Sequence, residues 1–311
     1  MKNRLRFAAG AIVAVLVISI GSGAQQGKAT ANESNQIVFN VFVYDKLGAP
    51  VMGLAENDFS IFVNKQPTKI DFFSGRDAPE SICLLVETSA FMRHREMWET
   101  AVSKLRRFVM LSNPGSEFLL ITFSDAPKLV VDWASDKNVL ASAILAVEHG
   151  EQKGTTALSD ACVLAINKFP HAKNQKKFIV LIAHGGDDSS KTPHNQFRSL
   201  LENSGVSVAC IAITDPTYDA YAGHGRVFLE EITSATGGIV SFPGTTKEIA
   251  DSIDQGALLM RHGYQIGLNK ASLPNDGKHH KLTVKVSPND GNTRNSERYV
   301  VRAPEGFRTS N

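Results

Sequence analysis

The sequence lacks the concentrated positive charge that nucleic-acid binding needs. Its 33 Lys and Arg residues nearly balance 31 Asp and Glu residues, which leaves a net charge of +2. Nucleic-acid-binding domains usually gather basic side chains on one face or along one helix, and only short basic pairs occur here. The composition therefore gives no support for a nucleic-acid partner.

Cysteine is also scarce, with three residues at positions 83, 162 and 210. Their spacing matches neither a disulfide framework nor a zinc motif. Cys83 and Cys210 lie in apolar, strand-like stretches, and Cys162 lies in a predicted helix. Because an unpaired cysteine commonly serves as a small apolar core residue, we expect three buried thiols without a redox or metal role.

Long apolar runs are few. The most marked one covers residues 8–20 and follows three basic residues, with small residues at 22–24. It is shorter than the roughly 20 residues that cross a bilayer, and its layout predicts a secretory signal peptide over residues 1–24. A retained N-terminal anchor is the alternative. We expect an exported protein, periplasmic or secreted, with no stable membrane span once the signal is cleaved.

The periodicity of apolar residues divides the rest of the chain into parts. Residues 25–36 are polar and predict a linker. Residues 37–76 show alternating apolar positions, typical of strands with one buried face. Residues 79–262 alternate short apolar runs with stretches of helical period, the pattern of parallel strands covered by helices. The β pattern returns over residues 263–307.

The sequence therefore predicts a doubly wound, mostly parallel α/β domain of Rossmann type with a flanking, β-sandwich-like module. The N-terminal β segment is too short to bury much surface alone, so we expect it to pack with the C-terminal strands. The strands predicted for the α/β domain cover residues 81–86, 118–123, 129–133, 178–183, 206–213 and 239–242. The helices predicted for it cover residues 95–111, 138–147, 157–169, 196–204, 227–236 and 246–259. The flanking strands predicted cover residues 37–43, 59–63, 70–73, 264–268, 282–286 and 299–301, with 64–67 as a hairpin connection.

Ligands of doubly wound sheets bind beyond the carboxyl ends of the strands, where the strand order reverses. Three predicted loops reach this edge: residues 87–91 (ETSAF), residues 154–157 (GTTA) and residues 184–188 (HGGDD). Their candidate site residues are Glu87, Ser89, Phe91, Thr155, Thr156, His184, Asp187 and Asp188.

These loops resemble the metal-ion-dependent adhesion site of von Willebrand factor A domains. Over about residues 37–307 the chain is similar to the von Willebrand factor A-related proteins common in Acidobacteria. The stretches that carry the resemblance are 43–62, 121–125, 156–161 and 299–307. The resemblance implies an adhesion-type bacterial binding protein that is not an enzyme. Its partner would be a protein or an extracellular polymer.

The resemblance also implies which residues would bind a metal ion. In the family the first loop reads Asp-x-Ser-x-Ser, the second supplies a Thr and the third an Asp, and such oxygen atoms suit Mg²⁺. Ser89 and Thr156 match this pattern. Glu87 stands in place of the first Asp, Phe91 in place of the second Ser, and His184 in place of the distal Asp.

Two anionic ligands are thereby reduced to one, and imidazole suits transition metals better than Mg²⁺. We expect a degenerate site without a cofactor, with weak Mg²⁺ binding as the alternative. A charge-assisted hydrogen bond between Glu87 and His184 could take the place of the ion. Phe91, Thr155, Asp187 and Asp188 would form the rim, the two aspartates as solvated loop acids.

The predicted function is binding of a partner through these loops. A metal-independent scaffold in an envelope assembly, using the β module, is the main alternative. Two further alternatives are a transition-metal-binding protein and a hydrolase built on Ser89, His184 and Asp187. The hydrolase is disfavoured because Ser89 lacks the Gly-x-Ser-x-Gly elbow.

Overall fold

The structure, a computed structural model, describes residues 35–92, 94–214, 222–287 and 299–309. The predicted signal peptide and most of the predicted linker lie outside these residues. The described residues belong to one compact unit. Within them, no helix combines the length and the apolar character that a membrane span requires.

The chain forms fourteen described strands and six described α-helices. The strands are β1 (Gln36–Asp45), β2 (Phe59–Val63), β3 (Gln66–Thr68), β4 (Phe72–Ser74), β5 (Glu80–Glu87), β6 (Glu117–Phe123), β7 (Pro127–Ala134), β8 (Lys176–Ala183), β9 (Ser207–Ala212), β10 (Ile239–Ser241), β11 (Tyr264–Asn269), β12 (His279–Val286), β13 (Tyr299–Arg302) and β14 (Gly306–Arg308). The helices are α1 (Arg95–Leu111), α2 (Lys137–Glu148), α3 (Leu158–Lys168), α4 (His194–Asn203), α5 (Ala222–Ala235) and α6 (Thr246–His262).

Six strands form the central sheet in the spatial order β10-β9-β8-β5-β6-β7. Neighbours are parallel except β6 and β7, which are antiparallel. The chain passes from β5 to β6 and β7 on one side, then continues at β8 on the other side of β5. The strand order therefore reverses between β5 and β8, and the loops that follow these two strands meet at this switch point.

The central sheet is covered by helices on both faces, which explains the continuous apolar runs. Ile82 and Leu84 of β5 pack in a core with residues of α1, α2 and α6. Cys83 and Leu85 of the same strand pack with residues of α3, α4 and α5. Every residue of β5 is buried. The predicted doubly wound α/β class is confirmed.

Two antiparallel four-stranded sheets flank this domain, in the orders β13-β1-β11-β4 and β14-β12-β2-β3. Each combines strands from both ends of the described chain, since β1 pairs with β11 and β13, and β2 pairs with β12. The two sheets share one apolar core that includes Val41, Ile61, Ile266 and Leu282. The predicted flanking sheets are thus present.

The structure differs from the predictions mainly within the first β segment. The turn between β2 and β3 has only two residues, Asn64 and Lys65, both with positive φ. Two-residue hairpins favour this geometry because its twist matches that of the strands. Gln66 and Pro67, predicted as part of the turn, belong to strand β3. The chain then changes sheets, because β4 pairs with β11 rather than with β2.

The three cysteines are free and buried, as predicted. Burial raises the pKa of the Cys83 and Cys210 thiols well above the ordinary value, and it also raises that of Cys162. Because the thiolate is the reactive and metal-binding form, these side chains act as apolar packing.

Candidate functional site

Glu87 is the centre of the candidate site. It is the last residue of β5, and its side chain is fully buried. Its Oε1 accepts a hydrogen bond from Ser89 Oγ at 2.5 Å and is hydrogen-bonded to His184 Nδ1 at 2.6 Å, and its Oε2 accepts one from the backbone N–H of His184 at 2.9 Å. The indole of Trp98 donates to the Glu87 carbonyl at 2.8 Å. Both carboxylate oxygens therefore have protein donors.

Phe91 lies over the imidazole of His184. The two rings stack with centroids 5.0 Å apart and planes 19° apart. The backbone N–H of Phe91 donates to Ser89 Oγ at 3.2 Å, which fixes the first loop beneath the ring. The Phe91 residue is 38% exposed. The site thus presents an aromatic ring to solvent directly above a buried hydrogen-bonded pair.

Two glycines after His184 allow the third loop to pass close to its neighbours. Gly185 has a φ of +101°, and a Cβ there would lie 2.6 Å from the Gly225 carbonyl oxygen of α5. A Cβ on Gly186 would collide with His184 Nε2 and lie 3.3 Å from Thr156 Cγ2. Neither glycine was predicted to have a role, although a Gly-Gly pair close to the end of a buried strand is a signal of close backbone approach.

Thr156 joins the second loop to the third. Its backbone N–H donates to Asp188 Oδ1 at 2.8 Å, and its carbonyl accepts from the backbone N–H groups of Asp188 and Ser189 at 3.0 and 2.9 Å. The Thr156 side chain is buried, and its hydroxyl donates weakly to the Gly186 carbonyl at 3.4 Å. The structure therefore brings Thr156 beside the His184 loop.

The rim aspartates are exposed, and they also hold the loops together. Asp187 accepts hydrogen bonds from the hydroxyls of Ser159 and Ser190. Asp188 accepts from Thr156, as described above. These acids are therefore not merely solvated, which the sequence could not show because Ser159 and Thr156 lie 28 and 32 residues away from them.

Two further aspartates belong to the same edge and were not predicted as site residues. Asp125, just after β6, accepts from the backbone N–H and the hydroxyl of Thr155, both at 2.6 Å, and these bonds lower its pKa. Burial of Asp160 favours its neutral form, but hydrogen bonds from Thr192 and Lys191 outweigh this effect and lower its pKa. Their position, after one strand and at the start of α3, was the available signal.

The donor set does not fit a hexacoordinate cation such as Mg²⁺. Such an ion needs near-octahedral oxygen ligands, whereas the Glu87 oxygens already accept from Ser89 and His184, and Phe91 adds an apolar ring. Among the described residues, no group of three or more His, Cys, Asp or Glu side chains is placed to hold a metal ion.

The arrangement also differs from a hydrolytic triad. In a triad, the nucleophilic hydroxyl bonds to the imidazole that will accept its proton. Here the Ser89 hydroxyl donates to Glu87, and the His184 Nδ1 faces the same carboxylate. The hydroxyl and the imidazole thus contact the same carboxylate oxygen.

The switch point and the three interlocked loops define a doubly wound α/β domain with its candidate site at the carboxyl edge of the sheet. Residues 82–187 match the family model for the von Willebrand factor type A domain. This segment, about a third of the chain, is therefore similar to von Willebrand factor A domains. No curated protein is similar enough in sequence to match the chain.

Several solved structures are similar to the chain. A von Willebrand factor type A protein from Catenulispora acidiphila is 13% identical over 89% of this chain and 75% of its own, with a TM-score of 0.49. The von Willebrand factor domain of the type V pili tip protein Mfa5 from Porphyromonas gingivalis is 12% identical over 58% of this chain and 94% of its own, with a TM-score of 0.45. Proximal thread matrix protein 1 from the mussel byssus is 17% identical over 64% of this chain and 49% of its own, with a TM-score of 0.48.

Proposed function

We propose that this chain is an exported, non-enzymatic binding protein. Its partner, a protein or an extracellular polymer, docks on the loop edge, which we define as residues 87–92, 124–126, 152–157 and 184–190. The proposed export is supported by the signal-like N-terminal sequence, and cell fractionation with detection of the mature N-terminus tests it.

The observation that carries the proposal is that the loops of this edge are bonded to one another. Ala90 N donates to Gly154 O at 3.0 Å, Lys153 N to Thr88 O at 3.0 Å, and Ala157 N to Ser124 O at 2.8 Å. A surface held in one conformation loses little entropy when a partner binds. Loops on a rigid sheet are also a common place for binding residues.

Phe91 is the expected point of contact within the loop edge. Aromatic residues often contribute most to binding when a partner buries them, and the Phe91 ring is exposed while its backbone is fixed by Ser89. Asp125, Asp187 and Asp188 belong to the same loop edge and supply polar groups there. A partner would therefore bury the phenyl ring and make polar contacts with these aspartates.

The test compares three single variants of the mature chain. Phe91→Ala removes the aromatic ring from the loop edge, Leu47→Ala removes a 90% exposed side chain from the turn after β1, and Leu258→Ala removes an exposed side chain from α6. Each variant and the wild type are immobilised and cross-linked to envelope and culture-supernatant extracts of the source organism. Captured material is then quantified by mass spectrometry and glycan analysis.

A partner that is lost with Phe91→Ala and retained with the other two variants would support the proposal. Loss with Leu47→Ala alone would assign binding to the flanking sheets, and this would favour the scaffold alternative. Equal capture by all three variants would refute the assignment of binding to the loop edge. Alanine replacement of Thr156 and Ser89 then maps the contact further.

A further inference from the structure

The carboxyl group of Glu87 is fully buried, so its polar atoms must find their partners inside the protein. A carboxylate moved out of water is costly unless it is paired and hydrogen-bonded. A divalent cation usually meets this need at the corresponding position of the family's metal site. In this chain, three hydrogen bonds from Ser89 and His184 reach the two carboxylate oxygens.

His184 forms two of these three bonds, from its ring and from its backbone. It thereby joins the end of β5 to the end of β8 across the switch point, over a separation of 97 residues in sequence. An ionised carboxylate can only accept, so a bond from the ring to such a group requires the ring proton on Nδ1. The imidazole side chain is 14% exposed, because Phe91 covers one face and the Gly186 backbone lies against its edge.

We propose that the imidazole of His184 replaces the divalent cation as the link between the first and third loops, and that Phe91 closes over this link. The domain then keeps its loop edge in one conformation without a metal ion. The inference concerns the isolated chain and does not depend on the partner proposed above.

The three departures from the family pattern act together in this arrangement. The longer side chain of Glu87 reaches Ser89 and the His184 ring, His184 supplies donors where the family supplies an anionic ligand, and Phe91 supplies a stacking surface where the family supplies a hydroxyl. Reversing all three would restore oxygen ligands around Ser89 and Thr156.

The first experiment uses the wild-type chain without its signal segment. Its melting temperature is recorded after dialysis against EDTA, and again with millimolar Mg²⁺ or Mn²⁺ or with a slight excess of Zn²⁺. A ligand that binds only the folded state raises the melting temperature, so we expect no change with any of the three ions. A rise with Mg²⁺ or Mn²⁺ would overturn the proposal, and so would a Zn²⁺-dependent rise that His184→Leu abolishes.

The second experiment observes the link directly. A long-range ¹H–¹⁵N spectrum of the metal-free protein, assigned with His184→Asn, should show the ring proton of His184 on Nδ1. A ring protonated only on Nε2 would refute donation from His184 Nδ1 to Glu87, and with it the proposed role of the imidazole. His184→Asn keeps an N–H donor near the Nδ1 position, whereas His184→Leu keeps none. We therefore expect a larger loss of melting temperature for the Leu variant, and an equal loss in both would contradict the role of the donor.

The third experiment reverses the replacement with Glu87→Asp, Phe91→Ser and His184→Asp combined. We expect this variant to melt at a lower temperature in EDTA and to regain several degrees with Mn²⁺, in the range that ligand binding gives a domain of this size. Binding is confirmed by electron paramagnetic resonance of free Mn²⁺. If the triple variant folds but its melting temperature does not rise with Mn²⁺, these three residues are not what excludes the ion. If the triple variant does not fold, the wild-type titration and the tautomer measurement still decide the proposal.

Discussion

Arg308, in the last described strand, donates from Nε to the buried carboxylate of Glu202 on α4 at 3.0 Å. Arg198 donates to the same carboxylate at 2.9 Å, and His279 of β12 lies 3.8 Å from it. The bond to Glu202 raises the pKa of Arg198. One acidic side chain, 2% exposed, thus joins a helix of the central domain to two strands of a flanking sheet.

Glu202→Ala should therefore destabilise the protein more than the loss of an ordinary surface ion pair. Hydrogen bonds to a buried charged group contribute about 2 kcal/mol, and we expect a loss of that order in the free energy of unfolding, measured by urea denaturation. The control is Glu230→Ala, which removes an exposed pair with Arg226 and should cost roughly 0.5 kcal/mol or less. Equal losses in the two variants would contradict a structural role for Glu202.

Gly256→Ala should stabilise the protein. Gly256 lies inside α6 beside a small apolar cavity lined by Phe42, Val208 and Leu259. A Cβ there would meet no heavy atom within 4 Å. Because alanine favours the helix and restricts the unfolded chain, we expect a gain of about 0.5–1 kcal/mol in the free energy of unfolding.

The control for this substitution is Gly238→Ala. A Cβ at Gly238 would collide with the backbone of Val208, so this variant should lose stability or fail to fold. Both are compared by thermal and urea unfolding. A destabilised Gly256→Ala would mean that the space beside α6 is smaller than the structure shows.

The features of this fold that the sequence predicted are those set by local periodicity. Helix α1 was predicted with both of its observed ends, because its apolar residues keep helical spacing from Arg95 to Leu111. The strands β5 and β8 were predicted because each is buried on both faces. The positions of the switch-point loops follow from these strands.

The features that the sequence did not predict depend on contacts between distant segments. Alternating apolar residues indicate a strand but not its sheet, so the pairing of β4 with β11 could not be foreseen. Strand β14 has only three residues and gives no periodic signal. The bond of Thr155 to Asp125 depends on the packing of one loop against another.

Glu80→Gln should change how stability varies with pH. Burial of Glu80 raises its pKa, and this outweighs the opposing hydrogen bond from Ser116 and the attraction of Lys176. The unfolded chain therefore loses this proton near the ordinary value of 4.5, while the folded protein still holds it. The wild type should lose stability as the pH rises from 4.5 through the raised pKa.

Glutamine keeps an oxygen for the Ser116 hydroxyl and has no charge to bury. The stability of the variant should therefore not fall in this way as the pH rises. The difference in the free energy of unfolding between Glu80→Gln and the wild type should thus shift in favour of the variant as the pH rises from 4 to 7. Urea unfolding at four pH values measures it. A difference that stays constant across this range would show that the burial of Glu80 is not coupled to its ionisation.

The three thiols should resist modification until the protein unfolds. Cys83, Cys162 and Cys210 are each buried in the core between the central sheet and the helices α3, α4 and α5. Their raised pKa values keep them as thiols, and the thiolate is the form that reacts with disulfide reagents. Ellman's reagent should therefore label no thiol in the native protein within minutes and all three in strong denaturant.

At intermediate denaturant, the rate of labelling should follow the rate of global unfolding and be equal for the three positions. Mass spectrometry of the labelled peptides measures it. Faster labelling of Cys162 alone would indicate that α3, which begins beside the loop edge, opens independently of the sheet.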